Sequence, residues 1–197
     1  MACALMAVGC QTNRTMEAGI LPVAIASAVT LNLPADPGSA PTMEAAQTLV
    51  ARHDGRTQAL SAILKSGPAG VHILLAVANG PRVMEIDWTD EGIRETRHAF
   101  TPDGLSGLNI LSDIFITFWP LDDVNDALTG PARIIETPGG REVRLNGEVV
   151  ISISAASATA HGRTRRTLHN HDRAYTLEIY SEPVRGDLDA NAEAREE

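Results

Sequence analysis

The chain has only two cysteines, Cys3 and Cys10, both within its first ten residues. That excludes a disulfide framework and a cysteine-based zinc site from everything that follows them. Basic residues are also in short supply: 16 Lys and Arg against 25 Asp and Glu give a formal charge of −9. Binding a phosphate backbone needs a basic face, so nucleic acid is not an expected partner. No apolar run reaches the ~18 residues of a membrane-crossing helix, and the run over residues 20–31 is broken by Pro22. Aromatic residues make up only 4%, so a core has to be mainly aliphatic. Against these shortages, 197 residues that are 44% hydrophobic suffice for one domain with a full core.

Short strands dominate the middle of the chain. Gln47–Arg52 is followed by His53-Asp54-Gly55-Arg56, in which Asp-Gly supplies the positive φ of a tight hairpin. Leu60, Ala62 and Leu64 alternate, then Ser66–Gly70 turns. Val71, Ile73, Leu75 and Val77 alternate up to Asn79-Gly80, and Met84, Ile86 and Trp88 alternate up to Asp90-Glu91-Gly92 and Ile93–His98. Regularly spaced turn signals of this kind predict an up-and-down antiparallel meander. Strands resume at Ala132–Glu136, Glu142–Leu145, Val149–Ile153, Arg163–His169 and Tyr175–Tyr180, with Pro138-Gly139-Gly140 and Asn146-Gly147 as turns.

Between the two series the period changes. Leu108, Leu111, Phe115 and Phe118 recur at helical steps, and Pro120 predicts that this helix ends near Phe118. A second short helix, with Leu121, Val124 and Leu128 on its apolar side and Asp122 and Asp123 at its positive end, stops at Gly130-Pro131. The expected fold is mainly β with a helical insertion (α+β): about nine to eleven strands in a curved antiparallel sheet, its greasy face closed by the helical pair after the fifth strand or so.

The ends read differently. Residues 11–43 are rich in Ala, Thr and Pro and are expected to form a tether, with room for one strand near 23–31. The half-barrel domain is expected over 44–182, and the acidic, small-residue tail over 183–197 is expected to be disordered. Residues 1–10 resemble the end of a bacterial lipoprotein signal, with Ala7-Val8-Gly9 before a lipid-accepting Cys10. Ala7 stands where leucine is usual, and no basic n-region precedes it. The true start is therefore expected to lie upstream. Gln11 rather than aspartate after the cysteine favours the outer membrane over inner-membrane retention.

Leu31-Asn32-Leu33-Pro34, Gln47, Asn109-Ile110-Leu111-Ser112-Asp113, Trp119-Pro120-Leu121, Arg141, Val150-Ile151-Ser152-Ile153 and Tyr175-Thr176-Leu177-Glu178-Ile179 occur in an order that resembles the bacterial lipoproteins of the domain of unknown function 3261. That family is similar to the LolA/LolB lipoprotein carriers. The resemblance implies a half-barrel with helices at its mouth, a place in the envelope facing the periplasm, and the handling of acyl chains, lipids or polyenes.

Cavity walls are expected from Leu64, Ile73, Leu75, Ile86, Ile151, Ile153 and Leu177 on the sheet and from Leu111, Phe115, Phe118 and Trp119 on the helices. The leading reading is a lipid-anchored protein, attached to the membrane through Cys10, that buries an apolar ligand without covalent chemistry. The alternative is a scaffold lipoprotein whose core is filled by its own side chains. A metal-dependent enzyme at His161, His169 and His171 is the third reading, weaker because no further ligand follows at fixed spacing. Ser112-Asp113 lacks the Gly-x-Ser-x-Gly setting of a hydrolase nucleophile, so no catalytic residue is assigned and no cofactor is expected. The sequence names no protein partner.

Overall fold

A computed structural model describes residues 11–160 and 162–183. Expectations placed on Cys10, His161 and the 184–197 tail lie outside the described residues. The described strands are β1 (Thr12–Glu17), β2 (Leu21–Ala26), β3 (Val29–Leu33), β4 (Met43–His53), β5 (Arg56–Gly67), β6 (Gly70–Val77), β7 (Arg82–Thr89) and β8 (Gly92–Arg97). Helices α1 (Gly107–Phe118) and α2 (Leu121–Ala127) follow. Then come β9 (Ala132–Thr137), β10 (Gly140–Leu145), β11 (Glu148–Ser154), the short β12 (Ser157–Ala158), β13 (Thr164–Asn170) and β14 (Tyr175–Pro183). The protein is mainly β, with two helices and an open antiparallel sheet.

Turn chemistry sets the local hairpins. Asp54-Gly55 and Asn146-Gly147 both take positive φ at their two central positions, as the twist of a two-residue hairpin demands. The sheet order is β1-β8-β7-β6-β5-β4-β14-β13-β11-β10-β9, with β12 beside β13. Two meanders thus grow from a shared seam, β4 against β14, whose register runs from Tyr175 opposite His53 to Pro183 opposite Ala45. The first meander ends at β8 on one side. The second begins at β9 on the far edge. The connection between them must cross the face of the sheet, and α1 and α2 are that connection.

The crossing also shows that the sheet is curved. Glu95 on β8 and Arg141 on β10 both bond to α1, at opposite ends of the helix. Laid flat, the strands from β8 to β10 span about 38 Å at ~4.8 Å per gap. A 12-residue helix is about 18 Å long. Two side chains cannot make up that difference, so the sheet curls around the helix.

Two parts of the architecture differ from the sequence expectation. Residues 11–43, read as a tether, carry three strands. β1 pairs with β8, and the strand expected near 23–31 is a hairpin, β2 and β3, turning at Ser27-Ala28. Alternation continued across that turn because Val23, Ile25, Val29, Leu31 and Leu33 are all buried, and a bulge between Ala24 and Ala26 restores the phase. Long-range bonds hold the hairpin down. Ser27 donates through N–H (2.7 Å) and Oγ (2.8 Å) to Asp172, and the Asn170 side chain donates to the Ile25 carbonyl at 2.8 Å. The second difference is one residue at the C-terminal end, where β14 reaches Pro183, just past the expected boundary at 182.

No helix among the described residues is long and apolar enough to cross a membrane.

Candidate functional site

Helix α1 is apolar almost all round, so its two flanks meet different surroundings. Leu111, Phe115 and Trp119 form one i, i+4 row, each no more than 1% exposed. Trp119 stacks on Trp88 of β7 at 5.8 Å and 21°, with Phe115 5.2 Å away, and donates its indole N–H to the Pro37 carbonyl at 3.1 Å. The neighbouring row, Ile110, Ile114 and Phe118, is only part-buried, and it faces a cavity of about 360 Å³.

Both ends of α1 are fixed from the sheet. Glu95, 5% exposed, accepts the Gly107 N–H at 3.1 Å, which places a carboxylate at the positive end of the helix. A Cβ on Gly107 would come within 2.5 Å of that carboxylate, so glycine is needed there. At the other end the Arg141 guanidinium donates to the Trp119 carbonyl at 2.7 Å. No basic residue stands in the helix's own last turn. The cation comes from β10 instead.

The cavity lies between this helix and the inner face of β4, β5, β6 and β14, with Ala24 and Ile25 of the β2–β3 hairpin along one side. Of the expected wall residues, Leu64, Ile73, Leu75, Phe118 and Leu177 line it. Ile86, Leu111, Phe115, Trp119, Ile151 and Ile153 do not, and they are at most 2% exposed in the packed core. For Phe115 and Trp119 the reason is the row offset on α1. Ile86, Ile151 and Ile153 belong to β7 and β11, strands that do not reach the cavity.

One end of the cavity is polar. The Tyr175 hydroxyl donates to Asp113 Oδ1 at 2.7 Å. Tyr175 sits directly opposite His53 in the β4–β14 register, and both line the cavity together with Gln58 and Arg173. The Arg173 guanidinium donates to the Ala24 carbonyl, and its backbone N–H donates to Asn170 Oδ1 at 2.9 Å. Burial pushes the Asp113 carboxyl up to about 7, while the Tyr175 bond and the Arg173 charge pull against it. Burial, then the adjacent Asp113, raises the Tyr175 hydroxyl well above the ordinary phenol range.

Sequence reasoning named neither Tyr175 nor Asp113 as part of a binding site, and it weighed Arg173 with Arg163, Arg165 and Arg166 as partners for anionic lipid head groups but favoured a solvated strand face. The available signal was Asp113 itself, an acid set in the apolar row beside Ile110 and Ile114. Ser112, its neighbour, turns its hydroxyl to the Asn109 carbonyl of its own helix at 2.9 Å. His169 and His171 stack face to face at 4.2 Å, and His171 Nε2 lies 2.9 Å from Ser152 Oγ. Burial, then His169, lowers the His171 pKa against the opposing pull of Glu142. Among the described residues no three His, Cys, Asp or Glu side chains converge as metal ligands would. Arg163 pairs with Glu182 and Arg165 with Glu178, while Arg166 on the opposite face lies 5.8 Å over the Phe118 ring.

Residues 44–183 match the family described as "Protein of unknown function (DUF3261)". The chain belongs to that family. The matched segment starts at the first strand of the β4–β14 seam and ends on its last residue, so it takes in both meanders, the helical crossing and the polar end of the cavity. No curated protein matches the chain.

Proposed function

We propose that this protein is an envelope lipoprotein that holds an apolar ligand (an acyl chain, a lipid or a polyene) in a half-barrel of the LolA/LolB kind, without covalent chemistry. The observation that carries the reading is the cavity of about 360 Å³ between the inner sheet face and the Ile110, Ile114 and Phe118 row. Its size falls in the range of small-molecule sites, and its walls are mainly aliphatic. Burial of apolar ligand surface there supplies the binding energy. The turn Ala78-Asn79-Gly80-Pro81 is short and carries no long apolar loop, which favours holding a ligand over inserting one into a membrane. The packing of Trp88 against Phe115 and Trp119 favours the scaffold alternative for that half of the interior, where Phe115 and Trp119 also border a separate hollow of about 470 Å³ beside Pro37 and Asp123.

Native purification followed by mass spectrometry tests the reading. The wild type is expected to carry an apolar molecule at about one per chain. Ala62→Phe projects a ring into the cavity and is expected to lose that molecule at a stability cost of about 1–3 kcal/mol. An empty wild type would leave the scaffold reading standing.

The anchor belongs to the same proposal: Cys10 carries the lipid, and the domain faces the periplasm from the outer membrane. More than one acyl chain is enough for firm attachment. Metabolic palmitate labelling is expected to mark the wild type and to vanish in Cys10→Ala. Equal labelling of the two overturns the anchor.

A further inference from the structure

The titratable residues of the cavity are not scattered along it. Tyr175, His53 and Gln58 come together where the β4–β5 and β13–β14 turns meet, and Asp113 is bonded to Tyr175. The other end, around Leu64, Ile73 and Leu105, is mainly aliphatic and holds only the uncharged Gln47 and Ser106 as polar groups among the described residues. A wall of this kind fits a molecule with a long apolar body and one polar head.

The charges narrow the head. Arg173 forms no ion pair among the described residues, yet its side chain lines the cavity. Asp113 is the one carboxyl lining the same space among the described residues. A guanidinium binds a carboxylate through two parallel N–H bonds, and a protonated acid beside it adds an O–H donor. A phosphate head would bring up to two charges to a site with one permanent cation. The volume also suits one chain better than two.

We propose that the cavity takes a single-chain amphiphile with a carboxylate head, a long-chain fatty acid, whose head meets Arg173 and the Asp113–Tyr175 pair. The inference rests on the apolar-ligand reading and specifies its ligand. It differs from binding an ester- or amide-linked acyl chain, which presents no free carboxylate.

A pH dependence follows. Below about 7 the Asp113 carboxyl is protonated and leaves Arg173 as the charge of the site. Above it, Asp113 ionises, opposes an anionic head and offsets Arg173. The other titratable groups facing this end are Tyr175 from β14, which stays protonated throughout, and His53 from β4.

The test is calorimetric titration of the full chain with dodecanoate, dodecanol and dodecyl phosphate at about pH 6 and about pH 8.5, on either side of the Asp113 transition. Dodecanoate is expected to bind about tenfold or more tighter than dodecanol at the lower pH. That preference is expected to shrink at the higher pH. Arg173→Gln should bring the ratio near one, and Asp113→Asn should hold it constant between the two pH values, an outcome that a merely structural role would not produce. Equal binding of dodecanoate and dodecanol overturns the head-group assignment and leaves the cavity reading intact. Tightest binding of dodecyl phosphate also overturns the assignment. Binding of none of the three overturns both.

Discussion

Replacing Trp119 with alanine is expected to cost about 3–5 kcal/mol of folding stability, whereas the same change at its neighbour Phe118 is expected to cost about 1 kcal/mol. The two residues adjoin in sequence and in the helical break, but they belong to different rows of α1. Trp119 is 1% exposed, stacks on Trp88 and carries a buried hydrogen bond to Pro37. Its loss would open a void that the surrounding sheet is too closely packed to fill, and would remove one of the two donors of the Pro37 carbonyl, which keeps the Ala40 N–H. Phe118 is only part-buried and turns its ring to the cavity, so truncating it removes less packing than the loss of Trp119, which touches the neighbouring hollow with only 1% of its surface exposed. Urea unfolding of both variants measures the difference, with Trp119→Phe as a milder probe should the alanine variant fail to fold. Comparable losses at the two positions would mean that Phe118 is as much a core residue as Trp119, and the division of α1 into a packed side and a cavity side would fall.

That division was the part of the site least legible in the sequence. Periodicity identifies a helix, and Pro120 ends it where expected: α1 stops at Phe118 and α2 starts at Leu121. Periodicity orients a helix only when one side is polar. Here Leu111, Phe115 and Trp119 read the same as Ile110, Ile114 and Phe118, and grouping all of the first three with Phe118 placed three packed residues on the cavity wall. Hairpins were legible because their turns are local, as at Asp54-Gly55 and Asn146-Gly147. The β4–β14 seam was not, because nothing near Val50 encodes its pairing with Glu178. The same holds for β1 on β8, and for the Glu95 and Arg141 side chains that fix the two ends of α1. Contacts between residues far apart in the chain decide the curvature of the sheet. That curvature in turn brings Asp113 to Tyr175, 62 positions away.

The burial of Asp113, against the pull of its bond to Tyr175, gives stability an unusual slope with pH. Burial lifts the Asp113 carboxyl to about 7 in the folded chain, from an ordinary value of 3.8. Because the folded pKa is the higher one, the folded chain holds a proton that the unfolded chain has released between those two values, and stability falls as pH rises through that window. The penalty is complete above about pH 7. At about 1.4 kcal/mol per unit it reaches at most roughly 4 kcal/mol, and part-exposure of the carboxyl reduces that to an effect of order 2–4 kcal/mol. Asp113→Asn keeps the shape and an acceptor for the Tyr175 hydroxyl but cannot ionise. It is expected to match the wild type near pH 4, to gain on it progressively up to pH 7, and to stay more stable by that margin at pH 8. Thermal or urea unfolding across this range reads the gap directly. Parallel profiles for the two proteins would show that Asp113 ionises in the folded chain at an ordinary pH. A widening gap would show that the wild type keeps a destabilising carboxyl on its cavity wall, where an acid has more to contribute to recognising a ligand than to holding the fold together.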